Sequence, residues 1–97
     1  MKEDWRLTGQ EQYLQGAAFR HKTYRAWRAD WEHDHCAFCW RKLVEEGTPS
    51  DDPEARTIGY AALGRGPNGE DDYHWVCDEC FGDFQSRFGW TVVESEG

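Results

Sequence analysis

A small α+β domain is predicted by three observations. All four cysteines of the 97-residue chain fall in two couplets, Cys36-Ala-Phe-Cys39 and Cys77-Asp-Glu-Cys80. A hairpin pattern ending at Val76 runs directly into the second couplet, and a stripe of phenylalanines at helical spacing, Phe81, Phe84 and Phe88, leads away from it. Two thiolates separated by two residues can face one point from a tight turn. Two such couplets complete a tetrahedron of sulfur ligands, so Cys36, Cys39, Cys77 and Cys80 read as a structural site for one metal ion, with zinc the first choice. Four thiolates also suit iron, and a rubredoxin-like iron centre is the alternative. Two disulfides, or redox-active thiols, are the competing uses of the same side chains. Residues 40 to 76 make a longer insert than the usual roughly 15–20 residues between couplets, so this stretch must carry structure of its own.

Taken in chain order, Thr8-Gly9-Gln10-Glu11 matches a capping box that opens a short helix through Leu14, stopped at Gly16. Tyr13 and Leu14 are its expected buried contacts, with Trp5 and Leu7 packed beside them. Residues 17 to 27 are aromatic and basic and read as a strand. Alternation sets Phe19, His21, Thr23 and Arg25 on one side and Arg20, Lys22, Tyr24 and Ala26 on the other, neither cleanly apolar. That mixture suits an edge strand whose Lys and Arg discourage unwanted pairing. After Cys39, apolar residues at Trp40, Leu43 and Val44 predict a short helix through Glu46, ended by Gly47. Residues 48 to 54, with two prolines, form a surface loop. Residues 57 to 63 are a strand, Gly64-Arg65-Gly66-Pro67-Asn68-Gly69 is the strongest turn signal in the chain, and residues 73 to 76 return as the partner strand. Cys77 to Phe88 is a helix with a core-facing Phe stripe. Its first turn holds the second couplet, where free N–H groups favour thiolate. Gly89 ends it, and residues 90 to 93 form a last strand. Knuckle, hairpin and a helix that supplies the last two ligands is the order of parts in a treble-clef zinc finger. That is the predicted fold, with a zinc ribbon as the alternative and the N-terminal helix and strand packed on it.

The length gives one zinc-binding domain over residues 1–97, with residues 1–30 as an extension and 31–93 as the metal core. The hydrophobic share is only 38%, yet six Trp, four Tyr and five Phe supply much of it, so the core must be built from few, large side chains. No stretch approaches the roughly 20 apolar residues of a membrane span, and Met-Lys-Glu-Asp-Trp lacks an apolar signal core, which predicts a cytoplasmic protein. A reducing compartment also keeps thiols available for metal. The net charge of −8 is unevenly distributed: residues 1–42 hold eight Lys/Arg against six Asp/Glu, and residues 43–97 hold three against thirteen. A generic nucleic-acid binder needs the opposite sign.

His33 and His35 precede the first couplet, close enough in sequence to replace a sulfur or to hydrogen-bond a ligand thiolate; four cysteines already close the shell, which favours the second role, and capping a turn or facing solvent is the structural alternative. A zinc deaminase is excluded, because its signature requires His-x-Glu ahead of Pro-Cys-x-x-Cys and no proline precedes either couplet. The residues Asp4-Trp5-Arg6-Leu7-Thr8-Gly9-Gln10-Glu11, then Trp31-x-His33-Asp34-His35-Cys36-x-Phe38-Cys39, then Asp72-Tyr73-His74-Trp75-x-Cys77-x-x-Cys80-Phe81 resemble a group of small, uncharacterised bacterial proteins with two C-x-x-C couplets. The resemblance implies a bacterial origin and a zinc-binding element of zinc-ribbon or treble-clef type, and no particular activity.

Three functional classes follow. The expected one is a non-enzymatic protein-interaction module, such as an adaptor, inhibitor or immunity-type protein, whose acidic half meets a basic partner. The second is a nucleic-acid-binding finger using Arg20, Lys22, Tyr24, Arg25, Trp27 and Arg28, in which bases stack on the aromatics. The same six residues also form a contact patch for an acidic partner. The third is an iron electron carrier. An enzyme is not expected, since a catalytic zinc keeps an open coordination position.

Overall fold

The computed structural model describes residues 5–25, 34–47 and 52–93. Its elements are α1 (Glu11–Leu14), β1 (Ala18–Thr23), β2 (Asp34–His35), β3 (Lys42–Leu43), β4 (Ile58–Ala62), β5 (Trp75–Val76), α2 (Asp78–Phe88) and β6 (Thr91–Val92). Four of the strands form one sheet in the order β5-β4-β1-β6, and β2 and β3 form a separate antiparallel pair. The chain is thus a small mixed α/β protein, and among its described residues no helix is long and apolar enough to cross a membrane.

The hairpin read from the sequence is present as β4 and β5, which pair antiparallel with Tyr60 opposite Val76 and Ala61 opposite Trp75. The expected edge strand is interior only where β6 reaches it, at Ala18 and Phe19. β1 pairs antiparallel with β4, placing His21 opposite Tyr60, and parallel with β6, placing Phe19 opposite Val92. Its mixed composition matches its burial: Phe19 is buried in the core, whereas Ala18 and residues 20 to 23 are half-buried.

On one face, Phe19, Ala62 and Val76 join Leu14, Phe38, Phe81, Phe84, Phe88 and Trp90 in the main core. Phe81, Phe84 and Phe88 are the buried stripe of α2, and Gly89 takes the left-handed conformation (φ 68°) that ends it, its N–H bonded to the Gln85 carbonyl. Trp90 lies among these rings, with centroids 4.8 Å from Phe19, 5.1 Å from Phe88 and 5.2 Å from Phe81. Its indole N–H is satisfied by the Leu14 carbonyl at 2.8 Å, which ties α1 to the end of α2. Each such ring, fully buried, contributes about 1.5–3 kcal/mol. On the other face, Tyr24, Leu43, Ala61 and Trp75 form a second cluster, with the Tyr24 and Trp75 rings 4.9 Å apart.

Three local expectations are corrected. Residues after Cys39 do not form a helix; Lys42–Leu43 is a strand, opposite His35 and Asp34. The chain reverses through the first couplet, and its return leg satisfies backbone groups by pairing with β2 and with Arg56, which helical winding would forbid. Leu43 and Val44 are both buried, whereas Trp40, the third member of the supposed helical stripe, is 69% exposed. The capping box is also not used. The residue capping α1 is Gln10, without a side-chain cap bond, because the Thr8 backbone N–H donates to the Gln10 side chain instead. Trp5, expected to pack beside α1, is 71% exposed, while Leu7 packs against the core as expected.

Candidate metal centre

The first couplet lies in the turn between β2 and β3. The Cys36 N–H donates to the Arg41 carbonyl at 2.8 Å and the Trp40 N–H to the Cys36 carbonyl at 3.1 Å, which closes the loop. Inside it, the Phe38 N–H points at Cys36 Sγ, 3.4 Å away. The knuckle is fastened to the sheet by the Ala37 N–H, which donates to the Trp75 carbonyl at 2.8 Å. Two residues after Trp75 the chain reaches Cys77, the N-cap of α2, and Cys80 lies in the first turn of that helix. The turn and the helix start are therefore held together by β5, which explains why couplets separated by residues 40 to 76 meet.

All four Sγ atoms lie within 4.8 Å of one another. Cys39 and Cys77 Sγ are 3.6 Å apart. A tetrahedral shell with metal–sulfur bonds of about 2.3 Å has edges of about 3.8 Å, whereas a disulfide needs about 2.05 Å. None of the four is joined in a disulfide, and the 3.6 Å spacing matches the metal shell rather than a bonded pair. The donor set fits a structural metal ion: four sulfurs, three of them buried and Cys39 partly accessible.

The thiols are electrostatically coupled. Hydrogen bonds from Cys77 and Cys80 lower the Cys36 pKa and favour its thiolate. Cys80, donating to that thiolate and buried beside it, is pushed up. The cluster thus holds protons that a divalent ion must displace, and metal binding releases them.

Two arginines counter the charge of the cluster. Arg6 Nη1 donates to Cys80 Sγ at 3.4 Å and to Asp83 Oδ2 at 3.0 Å, and its guanidinium lies 4.5 Å from the centre of the Phe84 ring. Arg41 bridges the knuckle to α2 through Glu79 and reaches Glu54 at 3.1 Å. Glu79, and after it Cys77 and Cys39, raise the Arg41 pKa. Gln10 completes the support. It is fully buried, and its Nε2 donates to the carbonyls of Arg6 at 2.8 Å and Ala37 at 3.0 Å. None of the three was singled out in the sequence as a site residue. Their partners lie 27 to 77 residues away, except for the Gln10–Thr8, Gln10–Arg6 and Arg41–Glu54 bonds, and no local pattern announces such contacts.

The other sequence-nominated residues are placed differently. His35 lies in β2, immediately before Cys36, with its ring 5.9 Å from that of Trp40. Lys22 pairs with Asp72 at 2.7 Å, and Tyr24 is buried with its hydroxyl 3.2 Å from Asp34 Oδ2. Arg20 is half-buried in β1, and Arg25 is exposed just beyond it. His33, Trp27 and Arg28 lie outside the described residues. Comparison with protein-family models, curated proteins and solved structures gives no match.

Proposed function

We propose that this chain is a zinc-stabilised, treble-clef-like protein-interaction module of the cytoplasm, without catalytic activity, that binds a basic protein partner. The observation that carries the reading is the four-sulfur cluster. Four sulfurs supplied by a turn and a helix start lie close enough to fill a tetrahedral shell, which would leave a bound zinc no open position for water or substrate. The order of parts, β2–β3 knuckle, β4–β5 hairpin and α2, agrees with a treble clef. A net charge of −8 supports a basic partner, since complementary charge speeds encounter and suppresses wrong pairings. Nucleic acid is disfavoured by the same charge, and Lys22, one of the cations of that reading, is engaged with Asp72.

Elemental analysis of the purified, colourless chain should return one zinc per molecule, and removal by a chelator should abolish the folded circular-dichroism spectrum, because metal binding and folding are one free energy in a domain this small. A labelled Lys/Arg-rich peptide should bind the zinc-loaded protein and be released by salt. Stoichiometric iron, an unchanged spectrum after chelation, or a preference for oligonucleotide over the peptide would overturn the reading.

A further inference from the structure

Beside the metal centre, the structure carries a groove of about 230 Å³ whose lining includes Tyr13, Asp34, His35, Trp40, Tyr73 and His74. Its walls are rings. On the knuckle side the His35 and Trp40 rings are 5.9 Å apart. On the hairpin side His74 lies 4.6 Å from Tyr13 and 5.0 Å from Tyr73. Asp34 adds a carboxylate, its Oδ2 positioned by the Tyr24 hydroxyl at 3.2 Å. Small-molecule and cofactor sites occupy about 300–1,000 Å³, so this volume suits one inserted side chain rather than a whole cofactor.

We propose that this groove receives one arginine side chain of a basic partner protein, its guanidinium plane stacked against the aromatic walls and hydrogen-bonded to Asp34. The inference deepens the interaction-module reading and rests on it for the partner's class. Arginine fits better than lysine for two reasons. A guanidinium is planar, so it can lie against rings while its edge meets a carboxylate in a two-pronged bond. It is also less strongly hydrated than an ammonium, so it loses less on leaving water. Burial lowers the His74 pKa, so at neutral pH that wall is an uncharged ring and does not repel a cation.

The backbone supports the same placement. Trp40 is held at φ 66°, a left-handed conformation that bulky residues rarely adopt and that glycine would take without strain. Its side chain is 69% exposed, so core packing does not explain why a tryptophan occupies this position. Strain retained at an exposed aromatic on the rim of a groove is the pattern expected of a contact residue.

The test is an NMR titration of the zinc-loaded full chain with a blocked Gly-Arg-Gly peptide in the millimolar range, with citrulline and lysine versions and adenosine monophosphate as comparators. The proposal expects a saturable shift of the Trp40 indole N–H with the arginine peptide, and affinity at least about fivefold lower for citrulline and lysine. Trp40→Gly, followed at the backbone amides of His35 and His74 because the indole reporter is gone, should abolish the response while raising the thermal midpoint, because it removes the ring and the backbone strain together. Asp34→Asn should weaken binding at least about fivefold. Equal binding of citrulline, a response to the nucleotide alone, or no saturable shift would overturn it. An arginine-rich 20-residue peptide separates the two readings. If it binds wild type, Trp40→Gly and Asp34→Asn equally, the site is wrong and the interaction module stands. If the single-arginine peptide binds at Trp40 and the longer peptide does not bind at all, the pocket stands and the basic protein partner falls.

Discussion

Arg6 holds Cys80 from the far end of the chain, its Nη1 3.4 Å from the sulfur. The same guanidinium pairs with Asp83 and lies over Phe84, so three residues of α2 fix one arginine in place. Hydrogen bonds to a ligand sulfur orient it and offset the negative charge that four thiolates leave on a divalent ion. Removing groups of this kind typically costs about 10–100-fold in metal affinity. Arg6→Ala should therefore release zinc to a chromogenic chelator at least about tenfold faster than wild type. Arg6→Lys should be intermediate, because it keeps the charge and loses the planar contact with Phe84.

Gln10 does for the backbone what Arg6 does for the sulfur. It is fully buried, accepts from the Thr8 N–H at 2.7 Å, and donates to both the Arg6 and Ala37 carbonyls. Gln10→Ala leaves these three backbone groups short of a partner, each costing about 1–3 kcal/mol if water does not replace it. Urea unfolding at a fixed excess of zinc should show a loss of about 3 kcal/mol. Gln10→Glu should be no better, since a carboxylate facing two carbonyls can donate to neither unless it takes up a proton.

The parts of this fold that were legible in the sequence are those whose cause is local. The couplets, the Gly64–Gly69 turn, the Phe stripe of α2 and the Gly89 stop depend on spacing and on single-residue conformational preferences. The β3 strand was not legible because Leu43 and Val44, neighbours in sequence, are buried on a return leg where neither strand alternation nor helical spacing describes them. The strand position of β1 was misread only at Ala18 and Phe19, which β6 covers. Lys22 looks like an edge-strand guard, yet it pairs with Asp72, whose place beside it is set by the hairpin rather than by β1. Of the site, the four ligands were readable and their supports were not, because Arg6 and Gln10 act through folding partners distant in the chain.

Tyr24 predicts an alkaline limit to stability. Burial, followed by the adjacent Asp34 carboxylate, raises its pKa well above the ordinary value of 10.0. The folded state therefore keeps the phenol proton at a pH where the unfolded chain has lost it. That contribution is fully present below pH about 10 and is lost as pH rises from there toward the folded pKa. Tyr24→Phe should cost about 1 kcal/mol at pH 8 through the lost bond to Asp34. Above pH 10 its thermal midpoint should fall less steeply than that of wild type. Parallel curves for the two proteins would show that Tyr24 does not titrate on unfolding.

Gly59 tests the second, smaller cluster. A Cβ added there would lie 3.2 Å from Leu43 Cδ2 and 3.2 Å from the Val76 carbonyl oxygen, with Trp75 Cε3 at 3.5 Å. The carbonyl belongs to β5, which is paired with β4, and Leu43 is fully buried, so neither neighbour can withdraw freely. Overpacking of this kind costs about 1–3 kcal/mol. The shift also has a direction. Pressure from Gly59→Ala falls on Leu43 in β3 and on Val76, the residue before Cys77, so it strains both arms that bring the couplets together. The substitution should lower thermal stability and speed zinc release to a chelator together. A Leu43→Ala change made in the same chain should recover part of the loss caused by Gly59→Ala, because it removes one of the two close contacts. A double variant no better than the sum of the singles would place the obstruction at the backbone of β5 instead.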